Sequence, residues 1–255
     1  MPLQYFVLIF LLFVCCTCGG SEIGHLKYGD AAQSLYSEAL EDFYSGDCMD
    51  AEPVFRQVRR EYPYSRFAAL AELRIADCLF VEGKFVEAIQ AYQQFVKHRP
   101  SHVEVPFARF RVAECYYEQI PSEWFLTPPA YERDQNPAQE TLSHLQRFIV
   151  DYPKDPYTPK AKRLANEATA LLAKHELYVA KFYLDRDQPR AGAARLLTLI
   201  RSYPESEVSP EALFLLGETY LELKEAKKAY KIFLELLRKF PHSEYADDAR
   251  ERLRS

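Results

Sequence analysis

The sequence predicts an all-α protein, a superhelix (α-solenoid) of five helix-pair repeats, and three observations predict it. First, an aromatic or basic residue precedes a proline five times, at Tyr62-Pro63, Arg99-Pro100, Tyr152-Pro153, Tyr203-Pro204 and Phe240-Pro241. Second, the residues twelve before each proline are small or fairly small: Ala51, Ala88, Thr141, Gly192 and Ala229. Third, those eight before it are large and apolar: Phe55, Tyr92, Leu145, Leu196 and Phe233.

Small residues where two helices cross closely, large ones filling the gap and a proline ending the second helix are the marks of a tetratricopeptide repeat. The first helix of each pair carries the same logic. Ala39, Ala76, Ala180 and Gly217 stand twenty-four before the proline, with Leu79, Tyr183 and Tyr220 three places later in three of the units. In the third unit this half lies sixteen residues further upstream, as Ala113 and Tyr116, so an insertion separates its helices. One pair cannot bury its apolar face alone, and stacking several makes a continuous core. Such an array works through its surfaces.

At the N-terminus, residues 5–14 form an uninterrupted apolar run too short to span a bilayer, followed by Cys15, Cys16, Thr17, Cys18, Gly19, Gly20 and Ser21. The run fits the core of a secretion signal, and a cysteine directly after it resembles a lipoprotein processing site. Residues 1–18 are therefore read as a signal ending at an anchor cysteine, Cys18, with Cys16 as the alternative. Residues 19–30, with Gly24 and Gly29, are read as a flexible tether.

Repeats one and two occupy residues 31–102, turning at Gly46-Asp47 and at Gly83. Repeat three spans 103–156 and holds the insertion, 119–137. Repeats four and five and a charged capping helix from Glu244 to Arg254 fill 157–255. The insertion contains Trp124, the sole tryptophan, beside Phe125, with Pro121, Pro128, Pro129 and Pro137. Those prolines oppose a regular helix and put the aromatic pair on a loop. Trp124 and Phe125 then either contact a partner or lid a groove, or Trp124 tucks back against the repeats.

Composition excludes several classes. The 255 residues are 48% hydrophobic, hold only 8 glycines and have few alternating β-branched runs, which argues against sheet. A net charge of -5 gives no basic footprint for nucleic acid. There is no phosphate-binding glycine loop, no Gly-x-Ser-x-Gly elbow and no His-Glu-x-x-His, so no enzyme is expected. His98 and His102 straddle Pro100 and cannot share a helical face, so neither a metal nor any cofactor is implied. Cys78 and Cys115 sit in matching contexts one repeat apart, Arg74-Ile-Ala-Asp-Cys78 and Arg111-Val-Ala-Glu-Cys115, too distant to bridge. Cys48 falls in the first turn with no evident partner.

With the repeats in register, Leu172-Ala-Lys-His-Glu-Leu-Tyr-Val-Ala-Lys-Phe-Tyr-Leu-Asp-Arg186, Arg133-Asp134, the stretch from Phe148 to Pro153 and the cysteine-led tether resemble the BamD family of the outer-membrane β-barrel assembly machinery. The resemblance covers nearly all of the chain after the signal and weakens after Glu207. It implies a lipid-anchored scaffold on the periplasmic face of the outer membrane, with no catalytic role. It also implies partners: the periplasmic (POTRA) domains of BamA on the C-terminal repeats, other Bam lipoproteins, and unfolded outer-membrane proteins on the N-terminal repeats. By position, Arg195 matches a family arginine that contacts BamA, and it lies one place before Leu196, which puts it facing outward. A bidentate pair with a partner carboxylate and a plain surface ion pair both remain open. Tyr62 matches the family tyrosine beside the proposed substrate pocket, where Tyr64 and Phe67 join it as candidate substrate contacts. The recurrence of tyrosine before the proline in repeats three and four also marks Tyr62 as partly architectural. A second family, the Tol-Pal-associated periplasmic coordinator of envelope constriction, fits Leu216-Gly217-Glu-Thr-Tyr220 and Phe240-Pro241-His-Ser243.

Overall fold

The computed structural model describes residues 21–122 and 124–254, with side chains from Lys27 onward. Cys16, Cys18 and the apolar run lie outside them. Among the described residues all regular structure is helical. The helices are α1 (Ser21–Ser45), α2 (Cys48–Glu61), α3 (Arg66–Val81), α4 (Phe85–His98), α5 (Val105–Glu118), α6 (Asn136–Asp151), α7 (Thr158–Leu184), α8 (Pro189–Ser202), α9 (Ser209–Glu222), α10 (Ala226–Lys239) and α11 (Ala246–Arg254), with one 3-10 turn at Ala130–Glu132. They form two compact units, the first ending at Ala108 and the second beginning at Arg109.

Each second helix stops in the same way. Tyr62, Arg99, Tyr152, Tyr203 and Phe240 share φ between -125° and -134° and ψ between 50° and 59°. A following proline disfavours the helical region for these residues. Two residues past each proline the chain is caught again: Ser65, His102, Asp155, Ser206 and Ser243 donate their N–H to the carbonyls of those five residues. Arg99 stands where the other units have an aromatic ring because it has a different task. Its Nε and Nη2 bond both oxygens of Glu72 on α3, at 3.0 and 3.1 Å.

The turn inside a pair is equally regular. Gly46, Gly83, Asp187 and Lys224, each seventeen before its proline, have φ of 90°, 74°, 56° and 60°. The next residue then donates to the carbonyl five back, as in Lys84 to Leu79 and Glu225 to Tyr220, both 2.9 Å or shorter. Glycine marks only two of these four turns.

The small and large positions of the second helices are all buried, from Ala51 and Phe55 to Ala229 and Phe233. Two glycines of the frame are tightly packed. A Cβ on Gly217 would collide with the Phe233 ring, and one on Gly192 would lie 2.6 Å from Leu184 Cδ2. In the first unit, Tyr36, Phe55, Phe67 and Ile75 centre one core. In the second, Phe110, Leu145, Phe148 and Leu164 form one core, and Leu177, Leu196, Leu213, Leu216, Phe233 and Leu236 another. The long α7 serves both: Ala161 and Leu164 close the former, and Ala173, Leu177 and Ala180 the latter.

Three expectations need correcting. The tether expected over 19–30 is helical from Ser21, because Tyr28, Ala32 and Tyr36 continue the apolar stripe and Tyr28 packs edge-on against Tyr62 at 5.0 Å. Gly29 is tolerated inside that helix, with open space where its Cβ would be. The insertion, expected to run to Pro137, ends at Gln135, since Pro137 sits in the first turn of α6, where no N–H is needed. Cys48 is not a turn residue without a partner. It opens α2, is buried, and lies in the same core as Cys78.

Candidate interaction surfaces

The sequence singles out three patches, and each rests on a different local construction. The insertion follows α5. Thr127 donates both its N–H and its hydroxyl to the Trp124 carbonyl, at 2.9 and 3.0 Å, closing a tight turn. Arg133 reaches back to the Ser122 carbonyl at 3.2 Å, and Gln135 bonds the carbonyls of Ala130 and Arg133 at 2.8 Å each. His175 Nδ1 on α7 meets the Tyr131 carbonyl at 2.6 Å, and the Tyr131 and Tyr178 rings lie 5.7 Å apart. This strapping turns Trp124 and Phe125 outward, 58% and 84% exposed, edge-on to one another at 5.1 Å. Trp124 does not tuck back against the repeats. The two rings, with Thr127, Pro129 and Tyr131, line an open recess of about 460 Å³.

Arg195 projects from α8, with Leu196 behind it fully buried. Its side chain is 44% exposed, and Nη1 alone reaches Glu176 on α7, at 3.3 and 3.5 Å. That is a long, single-nitrogen contact. Nε and Nη2 are not committed to Glu176, so the geometry leaves room for a second carboxylate.

The third patch is divided. Tyr62 is half-buried beneath Tyr28, and its repeat equivalent Tyr152 packs on Phe148 at 5.3 Å, so the architectural part of its role is plain. Tyr64 is 95% exposed. Phe67 belongs to the core, its ring 5.5 Å from that of Tyr36, with Arg66 covering it at 4.8 Å. The sequence grouped all three rings on one groove, but the period of α3 turns Phe67 inward. Tyr62 and Tyr64 remain reachable from solvent.

Sequence reasoning missed a buried charge motif. Arg74 and Asp77 pair on α3 at 2.9 Å, and Arg111 and Glu114 repeat the pairing on α5 at 2.6 Å. The Tyr92 hydroxyl also donates to Asp77, and Lys160 reaches Glu114. The signal lies in the matching contexts around Cys78 and Cys115, where an arginine stands three places before an acidic residue both times. Arg74 lies over the rings of Phe43 and Phe107, at 5.5 and 5.8 Å. Burial pushes the nearby Tyr36 hydroxyl up, with Arg74 opposing it. Tyr117 is pushed up to about 12, chiefly by its hydrogen bond to Glu167 and then by burial.

Among the described residues, no cluster of three or more metal-binding side chains occurs, and no helix is long and apolar enough to cross a membrane.

Outer membrane protein assembly factor BamD of Caulobacter vibrioides is 28% identical over 197 residues, 76% of this chain and 62% of that one, so the chain spans less than two thirds of that relative. The factor of the same name from Xylella fastidiosa strain 9a5c is 24% identical over 225 residues, 87% of this chain and 77% of that one. A thermophilic TPR protein of Thermus thermophilus superposes loosely, with a TM-score of 0.37 and 18% identity over 88% of this chain and 97% of that one. The model of the YfiO family, described as outer membrane lipoprotein, matches residues 29–231. With most of its length matched, the chain belongs to the YfiO family of outer membrane lipoproteins.

Proposed function

We propose that this chain is a lipid-anchored scaffold of the outer-membrane β-barrel assembly complex, held at the periplasmic face by acylated Cys18, or by Cys16. In this reading the C-terminal repeats bind the POTRA domains of BamA through Arg195. Other Bam lipoproteins share the assembly, and unfolded outer-membrane proteins meet the N-terminal repeats at Tyr62 and Tyr64. Trp124 and Phe125 offer a further partner contact. The action is binding and positioning, without a cofactor.

The observation that carries the reading is the half-exposed Arg195, which spends one nitrogen on Glu176 and keeps its fork open, in a chain whose relatives are named for outer membrane protein assembly. A bidentate guanidinium–carboxylate pair at an interface is the kind of contact whose loss raises the off-rate.

Affinity capture from detergent-solubilised envelopes tests it. The unaltered chain should recover a large barrel protein with periplasmic repeats, and Arg195→Glu should weaken that recovery about tenfold or more. Undiminished recovery by the variant would remove Arg195 from the interface. Recovery of Tol proteins in place of the barrel subunit would favour the coordinator of envelope constriction. Trp124→Ser with Phe125→Ser, both exposed, serves as a second surface variant whose fold stays intact.

A further inference from the structure

Cys48 and Cys78 lie thirty positions apart in sequence. The fold brings them together: Cys48 opens α2, Cys78 sits near the end of α3, and both line the same core as Tyr36, Phe55 and Phe67. Cys48 shares its recess with Val81 and Glu82, the turn that follows Cys78 on α3, and each thiol is near enough to act on the ionisation of the other. The two are not alike in access. Cys78 is fully buried, whereas Cys48 is 5% exposed and forms part of the wall of an open recess of about 480 Å³ with Ser45, Gly46, Asp47, Met49, Val81 and Glu82.

We propose that Cys48 and Cys78 are a disulfide-forming pair, with Cys48 the thiol that meets the oxidant and Cys78 the thiol that resolves the mixed disulfide. The oxidant is a disulfide, either oxidised glutathione or an exposed protein disulfide. Cys48, as thiolate, attacks one sulfur of that disulfide through the recess, and the other sulfur leaves as a thiolate. Cys78, deprotonated in turn, attacks Cys48 Sγ and expels the second oxidant sulfur. One intramolecular S–S bond forms, the oxidant's S–S bond breaks, and the two protons lost by the cysteines pass through solvent to the two departing thiolates. Two electrons move from the cysteine pair to the oxidant.

Asp47 caps α2 by accepting from the Asp50 N–H at 3.1 Å, so Cys48 sits at a helix N-terminus, where a thiolate is normally favoured. Burial outweighs that here and pushes both thiols up, Cys78 the more. Oxidation should therefore be slow at neutral pH and quicken as pH rises, since the thiolate is the attacking form. The bond would tie the turn of the first pair to the end of α3, fixing the α1–α2 hairpin against its neighbour at the edge of the first core.

The reading goes beyond the scaffold role and does not depend on it. The test is peptide mapping of the full chain after incubation with oxidised glutathione at mildly alkaline pH, alkylated without reduction. The expected result is a linked peptide pair holding Cys48 and Cys78, about 2 Da lighter than the sum of its parts and separated by reductant. In Cys78→Ala, Cys48 should instead remain glutathionylated. Melting of the unaltered chain should shift to higher temperature on oxidation, and this shift should be absent from Cys48→Ala. Cys48 and Cys78 both alkylated after oxidation, or Cys48 linked to any other cysteine, would overturn the pairing. Glutathione persisting on Cys48 in the unaltered chain would overturn the role of Cys78.

Discussion

Arg74 Nη1 lies 2.9 Å from Asp77 Oδ2, one turn further along α3, and Asp77 is only 3% exposed. A carboxylate so placed is held by its partners, because an isolated buried charge is far costlier than a paired one. The Tyr92 hydroxyl donates to its other oxygen from α4, so one acidic residue ties both helices of the second pair to Arg74.

Removing that carboxylate strands Arg74 among Phe43 and Phe107. Asp77→Ala should lower stability by about 3 kcal/mol in urea denaturation, whereas Asp77→Asn, which keeps an acceptor for Tyr92, should lose less. Equal losses in the two variants would mean that charge pairing is not what holds this centre.

Gly217 is a packing glycine. The ring of Phe233 fills the space its Cβ would need, and Phe233 is itself 1% exposed. Gly217→Ala should cost about 1–3 kcal/mol by overpacking. Adding Phe233→Leu should recover part of that loss, giving a coupling visible in a double-mutant cycle. Strict additivity would show that the two sites do not press on one another.

The left-handed turn residues predict opposite effects from opposite changes. At Gly83 a Cβ meets nothing within 4 Å, so Gly83→Ala carries a purely conformational cost of about 1 kcal/mol. Lys224 already bears that cost at φ 60°, so Lys224→Gly should gain a few tenths to about 1 kcal/mol despite the entropy of glycine. Melting of the paired variants checks the sign directly.

His144 on α6 stacks on Tyr116 at 5.2 Å, and burial lowers its pKa from the ordinary 6.5, with Glu140 opposing and Arg147 reinforcing. The unfolded chain therefore binds a proton here before the folded one does. This site adds no penalty above about pH 6.5, and it destabilises increasingly as pH falls through the interval down to the folded value. His144→Phe should flatten the stability profile in that interval. An unchanged slope would assign the acid sensitivity elsewhere.

Much of this could be read from the chain because the repeat frame is a local pattern repeated five times. Ala51, Phe55 and Pro63 and their equivalents announce which faces meet and where helices stop. What the frame could not supply was contact between residues distant in sequence. Cys48 and Cys78 come together only once α2 packs on α3, and Arg195 finds Glu176 only across the α7–α8 pair. Phe67 misled for the opposite reason: it stands three places past Tyr64 in a loop-like segment, yet the helix beginning at Arg66 has already turned it to the core. Gly24 and Gly29 suggested a tether because glycine is a poor helix former, but the tertiary packing of Tyr28 and Ala32 outweighs propensity.

The two kinds of corner described above differ in what they tolerate. The proline corners repeat nearly the same dihedrals five times, so lengthening one would change the phase at which the next helix starts and misplace every small residue after it. The corner inside a pair tolerates length: it takes a single left-handed residue in four repeats and the whole stretch from Gln119 to Gln135 in the third, with Ala113 and Leu145 still buried on either side. New sequence grafted between α9 and α10, at Lys224, should therefore be accepted as readily as the insertion that displays Trp124, making that turn the natural position for an added binding loop, epitope or fluorophore.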